Sequence, residues 1–302
     1  MAILTTENLS KLYGERPAVD AVNLTVNEGE IYGFVGRNGA GKTTLIRVLA
    51  GLAKKSSGSF SLFGITDSDR AITDARRNVR VMVETATLHP GLTAEQNMIL
   101  QCKLLGESTD CIRPLLREVE LEGTGSKSVK NFSLGMRQRL AIATAMIGEP
   151  KLLLLDEPTN GLDPEGIFKV RELLVKLNRE RGVTILVSSH ILTELAKFAT
   201  CYGFIERGRL LKEVTAEQLN EECKDILRLK VGERELAAKL LAERGYNFKM
   251  DINGIEIADA TSPNEIFAYL TSAGVTVQGF ENQGADLERY FLNLIGGAYE
   301  TR

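Results

Sequence analysis

Long apolar runs are missing from this 302-residue chain. None approaches the roughly 18 to 20 residues a helix needs to cross a bilayer, so no membrane span is expected. The opening MAILTTENLSKLYG lacks the charged-then-apolar order of a secretion signal, and a cytosolic place is expected. Histidine is scarce, with two residues, and the four cysteines, Cys102, Cys111, Cys201 and Cys223, are scattered without a CxxC pair. A metal cluster is therefore unsupported, and the thiols read as buried or idle. A strong charge of one sign is also missing: the net charge of -3 gives no basic field to drive nonspecific nucleic-acid binding. Internal repeats and low-complexity tracts are absent as well.

With 43% hydrophobic and 25% charged residues, the composition is that of a globular protein with a filled core, which excludes disorder as the default. Apolar runs at Ala18 to Val26 and Ile31 to Val35 read as strands, the second followed by a glycine-rich turn and a helix, TTLIRVLAGL. KLLLL (151–155) and VTILV (183–187) read as buried parallel strands separated by a helix from Pro164 to Glu180. Alternating strands and helices imply an α/β core. The pattern changes after about Leu219, where a boundary is placed: residues 1–219 form one domain and 220–302 a small α+β domain. In the latter, DILRLKV and VTVQGF read as strands and FKM and IEIA as a strand pair around Asp251 to Gly254. ERELAAKLLAERG, SPNEIFAYLTSAG and DLERYFLNLIGG read as helices.

GRNGAGKT fits G-x-x-x-x-G-K-[ST], directly after a strand and before a helix. Glycines let the backbone fold around phosphate oxygens so that N–H groups and a helix N-terminus point inward. Gly36, Arg37, Asn38, Gly39, Ala40, Gly41, Lys42, Thr43 and Thr44 are the expected nucleotide contacts, with Lys42 at the β- and γ-phosphates and Thr43 on Mg²⁺. In KLLLLDEP, Asp156 ends a buried strand and is placed to hold Mg²⁺ through water. Glu157 can polarise or position the attacking water. Taken alone, both acids also suit an ordinary turn.

Three further segments, NFSLGMRQRL (131–140), NGLD (160–163) and SSH (188–190), together with the phosphate loop and DEP, resemble the ABC ATPases, from Ala2 to about Leu219. Phe132 to Met136 stands in the place of the family's LSGGQ signature, with Ser133 lying 23 residues before Asp156 (156 minus 133). The resemblance implies a P-loop cassette with a mixed-sheet core and a helical subdomain. It also implies a head-to-tail dimer that sandwiches ATP between one phosphate loop and the partner's signature segment. Ser133 and Gly135 open a helix whose positive end can meet the partner's γ-phosphate, and Ser133 can equally serve as its N-cap. His190 matches the switch histidine that aligns water with Glu157. Asp163 matches the residue that communicates across the dimer, and it also suits a helix N-cap before Pro164. Tyr13 matches the aromatic that stacks on adenine, a role weighed against that of an ordinary strand tyrosine.

Two departures narrow the resemblance. Glu84 stands where the family usually has glutamine, either reaching Mg²⁺ or the attacking water or lying in solvent. Leu134 and Met136 depart from LSGGQ. Glu84, the SLGM signature and a C-terminal domain of about 80 residues look most like exporter subunits of the bacitracin and lantibiotic self-protection type. His89 and Pro90 fall where the family meets its permease, and His89 reads equally as a plain exposed residue. The resemblance thus implies an ATP-hydrolysing subunit, peripheral on the inner face of the membrane. It would power export of a peptide antibiotic, drug or lipid-like compound through separate permease subunits. The competing reading is a soluble ABC ATPase acting on ribosomes or DNA, which usually carries two cassettes or a coiled-coil insertion; one cassette and no heptad run are present.

Overall fold

The computed structural model describes residues 1–83, 88–223, 226–251, 254–258, 263–283 and 287–300. The chain divides into two compact units, Met1–Thr215 and Ala216–Arg302. The division expected after Leu219 falls within a continuous helix, Ala216–Glu222, on which Leu219 is the buried residue. The strand before this helix ends at Thr215.

The first unit runs β1 (Ala2–Tyr13), β2 (Arg16–Val22), β3 (Thr25–Asn27), β4 (Ile31–Val35), α1 (Lys42–Leu49), β5 (Ser57–Leu62), β6 (Ile65–Thr66), α2 (Ile72–Ala75) and β7 (Val79–Met82). It continues through α3 (Ala94–Leu105), α4 (Ile112–Glu118), α5 (Leu134–Ala145), β8 (Leu152–Asp156), α6 (Pro164–Arg181), β9 (Thr184–Ser189), α7 (Leu192–Leu195), β10 (Cys201–Glu206) and β11 (Arg209–Thr215). The larger sheet has the order β11-β10-β4-β9-β8-β7, with β11 the antiparallel edge of an otherwise parallel sheet. A second, antiparallel sheet has the order β2-β1-β5-β6, with β3 also on β1.

Every residue of β4, β8 and β9 is buried, as central strands covered on both faces must be. Each large aliphatic side chain so withdrawn from water contributes roughly 1.5–3 kcal/mol. The single apolar run expected from Ala18 to Val26 is two strands, β2 and β3. Side chains make the corner between them: Asn8 N donates to Asn23 Oδ1 (2.7 Å) and Leu24 N to Thr6 Oγ1 (2.9 Å). Helices α3, α4 and α5 pack on one another as a helical group. A capping box between Thr93 and Gln96 starts α3, and Gly106, at φ 73°, ends it.

The second unit runs α8 (Ala216–Glu222), β12 (Ile226–Val231), α9 (Arg234–Glu243), β13 (Phe248–Asp251), β14 (Gly254–Ala258), α10 (Pro263–Ser272), β15 (Val277–Gln283) and α11 (Leu287–Glu300). Its antiparallel sheet has the order β13-β14-β12-β15, the split β-α-β arrangement. Leu227, Leu229, Ile255 and Ile257 form a core with Ala237, Leu241, Ile266 and Leu270 from α9 and α10. Among the described residues no helix is long and apolar enough to cross a membrane.

Candidate functional site

Strand β4 delivers its chain to the carboxyl end of the parallel sheet, where residues 36–41 loop into α1. The loop is pinned from several sides. Gly36 N donates to Ser189 O (3.3 Å), Ala40 N to Arg37 O (3.0 Å) and Gly208 N to Ala40 O (2.8 Å). Two glycines are dictated by close approach. A Cβ on Gly36 would lie 2.6 Å from the Ile205 carbonyl oxygen, and one on Gly41, at φ +112°, 2.3 Å from that of Ala18. Lys42 opens α1 and is buried, its Nζ donating to the carbonyl oxygens of Gly36 (2.6 Å) and Arg37 (3.2 Å).

The acidic pair lies two strands away. The phosphate loop and Asp156 lie at the ends of strands of one sheet with β9 between β4 and β8, so three adjacent strands supply the site. Asp156, 1% exposed, accepts from Thr43 Oγ1 on Oδ2 (2.6 Å) and from Ser188 Oγ on Oδ1 (2.6 Å). Glu157, at φ +49°, donates its N–H to Ser188 Oγ (3.0 Å). Its Oε2 meets His190 Nδ1 at 2.8 Å, and its Oε1 lies 3.1 Å from Lys42 Nζ. Lys42 Nζ thus bonds two loop carbonyls and pairs with Glu157 Oε1, a buried oxygen that has this ion pair and no hydrogen bond. Lys42, Thr43, Asp156, Glu157 and His190 therefore meet in one cluster. Ser188, to which no role was assigned from sequence, holds two of its members. Its signal was only its place beside Ser189 and His190, since the register Asp156 to Ser188 across β8 and β9 is a tertiary fact.

The remaining residues stand elsewhere. Ser133 caps α5, its Oγ accepting from Met136 N (3.2 Å), and Asp163 caps α6, its Oδ1 accepting from Gly166 N (2.9 Å). With Gly135 they line a separate open cavity of about 390 Å³, so one chain does not bring them to its own phosphate loop. Tyr13, at the end of β1, is half exposed, with Lys11 Nζ 4.9 Å above its ring. Arg37, Asn38 and Gly39 form the exposed crest of the loop and Thr44 lies within α1. Glu84 lies outside the described residues.

The donors suit Mg²⁺. Thr43 and Asp156 present oxygens only, 2.6 Å apart, the hard ligands this cation takes. Gly36 and Gly41 let the loop pack directly on the backbone of Ile205 and Ala18, where a side chain would collide, while Gly39, at φ +81°, has open space beside it.

The ABC transporter family matches residues 19–160. The bacitracin transport ATP-binding protein BcrA of Bacillus licheniformis is 37% identical, with 98% of each chain covered. The lantibiotic transport ATP-binding protein SrtF of Streptococcus pyogenes is 43% identical over 70% of this chain and 90% of its own. Among solved structures, the dimeric cassette MJ0796 bound to ADP and Pi after hydrolysis is 28% identical with a TM-score of 0.63, covering 70% of this chain and 98% of that one. This chain belongs to the ABC transporter family as an ATP-binding subunit, and it is an ATPase.

Proposed function

We propose that this subunit binds Mg²⁺ with ATP at the phosphate loop and hydrolyses it within a head-to-tail dimer. The dimer would power export of a peptide antibiotic, drug or lipid-like compound through separate membrane permease subunits. The observation that carries the reading is the meeting of Lys42, Thr43, Asp156, Glu157 and His190 at the ends of β4, β8 and β9.

Residues 36–44 would hold the triphosphate, with Tyr13 against adenine, and Lys42 would exchange its loop carbonyls for phosphate oxygens. Thr43 and Asp156 would hold Mg²⁺, and Glu84 would add a ligand or a water contact. When bound, this cation neutralises charge on the phosphates. Glu157 would accept the proton of, or orient, the attacking water, and His190, hydrogen-bonded to it, would fix its direction and meet the γ-phosphate. Ser133, Gly135 and Asp163 would serve the partner's nucleotide, which fits their separation from their own phosphate loop. The dimeric cassette MJ0796 and the bacitracin and lantibiotic transport relatives support the dimer and the cargo class. The cassette would extend to about Leu219, with residues 220–302 as an accessory domain, and the subunit would sit on the cytoplasmic face of the membrane through the permease.

Light scattering with Mg²⁺ and ATP tests this directly. Glu157→Gln should bind ATP without consuming it and become a dimer only when ATP is present. A mutant that stays monomeric beside a natural chain that hydrolyses ATP rapidly would exclude the shared site.

A further inference from the structure

Glu157 and His190 touch at 2.8 Å, and just before them Ser188 ties Asp156 and the Glu157 N–H to β9, but these bonds hold only the strand ends and not the chain beyond Glu157 and His190. A further tie joins the two segments beyond them. Thr159, two residues beyond Glu157, donates its hydroxyl to Glu194 Oε2 at 2.8 Å, and Glu194 lies on α7, four residues beyond His190. Both side chains are partly buried and border a small cavity walled by Val187, Leu195 and Phe198 together with Arg171 and Lys197. A hydroxyl bound to a carboxylate is a charge-assisted bond, stronger than one between neutral groups.

We infer that Thr159 and Glu194 form a positioning pair that holds the loop of Glu157 and the loop of His190 in register during ATP hydrolysis. The pair closes a ring: Glu157 to His190 through side chains, His190 to Glu194 along the backbone, Glu194 to Thr159 through side chains, and Thr159 back to Glu157 across Pro158. The start of α6 follows directly, since Asp163 lies four residues past Thr159, so the ring also meets the segment facing the 390 Å³ cavity. Neither Thr159 nor Glu194 reaches the phosphate loop; the pair acts through Glu157 and His190. It rests on the roles of those two residues proposed above.

Steady-state ATP hydrolysis by the full chain tests it. Thr159→Val keeps the side-chain shape and removes the donor. It should lower kcat about tenfold, the scale of a sub-ångström misplacement of catalytic groups, while KM for ATP stays within about twofold because the phosphate-loop contacts are untouched. Thr159→Ser restores the hydroxyl and should recover most of kcat. Glu194→Met removes the acceptor and should match Thr159→Val, the double variant being no slower than either single one. Unchanged kcat in both single variants, KM rising in step with the loss, or failure of serine to restore activity would each overturn the pairing. Should Thr159→Val not fold, Glu194→Met is read by the same criteria. A natural chain as slow as Glu157→Gln would instead defeat the underlying assignment of Glu157, a distinguishable outcome.

Discussion

Two adjacent serines on β9 make the sharpest test of the site. Successive side chains of a strand point to opposite faces, so Ser188 and Ser189 are equally buried but serve different partners. Ser188 Oγ donates to Asp156 Oδ1 at 2.6 Å and accepts from Glu157 N at 3.0 Å, while Ser189 Oγ accepts from Ile191 N at 3.0 Å. Ser188→Ala strips a charge-assisted bond from a carboxylate that is 1% exposed, leaving Oδ1 with no donor from that residue. Hydrogen bonds to charged groups contribute about 1.5–3 kcal/mol, and a neutral one about 1. The expected loss is therefore about 2–3 kcal/mol of cassette stability for Ser188→Ala and about 1 for Ser189→Ala. Turnover should separate the two further. Ser188 holds Asp156 directly and, through the Glu157 amide, fixes the residue beside it, so Ser188→Ala should lower kcat on the order of 10²-fold. Ser189→Ala should stay within about threefold. Urea unfolding followed by cassette-specific tyrosine or hydrogen-exchange signals gives the first comparison, and initial rates of phosphate release give the second. Equal effects of the two alanines on both measurements would refute the reasoning, because burial and residue type are the same and only the bonding differs.

The phosphate-loop glycines give a second contrast. Gly39→Ala, at φ +81° with nothing within 4 Å of the added Cβ, should lose only about 1–2 kcal/mol for the left-handed backbone, whereas Gly41→Ala adds a 2.3 Å collision with Ala18 O. Gly41→Ala should unfold the loop and abolish ATP binding in a calorimetric titration, and equal affinities for the two would contradict the close approach. The thiols provide a third check, independent of the site. Burial, assisted by neighbouring Cys111, pushes the Cys102 thiol up to about 11. At pH 8 almost none is then the reactive thiolate. Alkylation mapped by mass spectrometry should mark Cys111 and Cys201 well before Cys102 and Cys223, and rapid labelling of Cys102 in the folded chain would run against it.

Much of the site was legible because its chemistry requires contiguous residues. The phosphate loop is one turn between a strand and a helix, so its glycines, Lys42 and Thr43 are visible as a string, and the run LLLLD marks a buried strand ending in an acid. The caps at Ser133 and Asp163 were legible for the same reason, since an N-cap acts within three residues. Less legible was the corner between β2 and β3, where the Asn8 backbone N–H of β1 meets the Asn23 side chain and the Leu24 N–H meets the Thr6 side chain of β1.

The amino-acid string by itself determined the chemistry: a triphosphate cradle, an acidic strand end, a histidine after a buried strand, and a family whose motifs occur in this order. Those depend on residue type at short spacing, which sequence records directly. Tertiary structure alone decided that β9 lies between β4 and β8, and hence that Ser188 bridges Asp156 and Glu157, that Thr159 meets Glu194, and that Ser133 and Asp163 share a cavity away from their own phosphate loop. These are contacts between residues from about 30 to 154 positions apart, the last being Ile31 with Ile185, fixed by strand order and register, and no local pattern of residues encodes which strand becomes the neighbour of which.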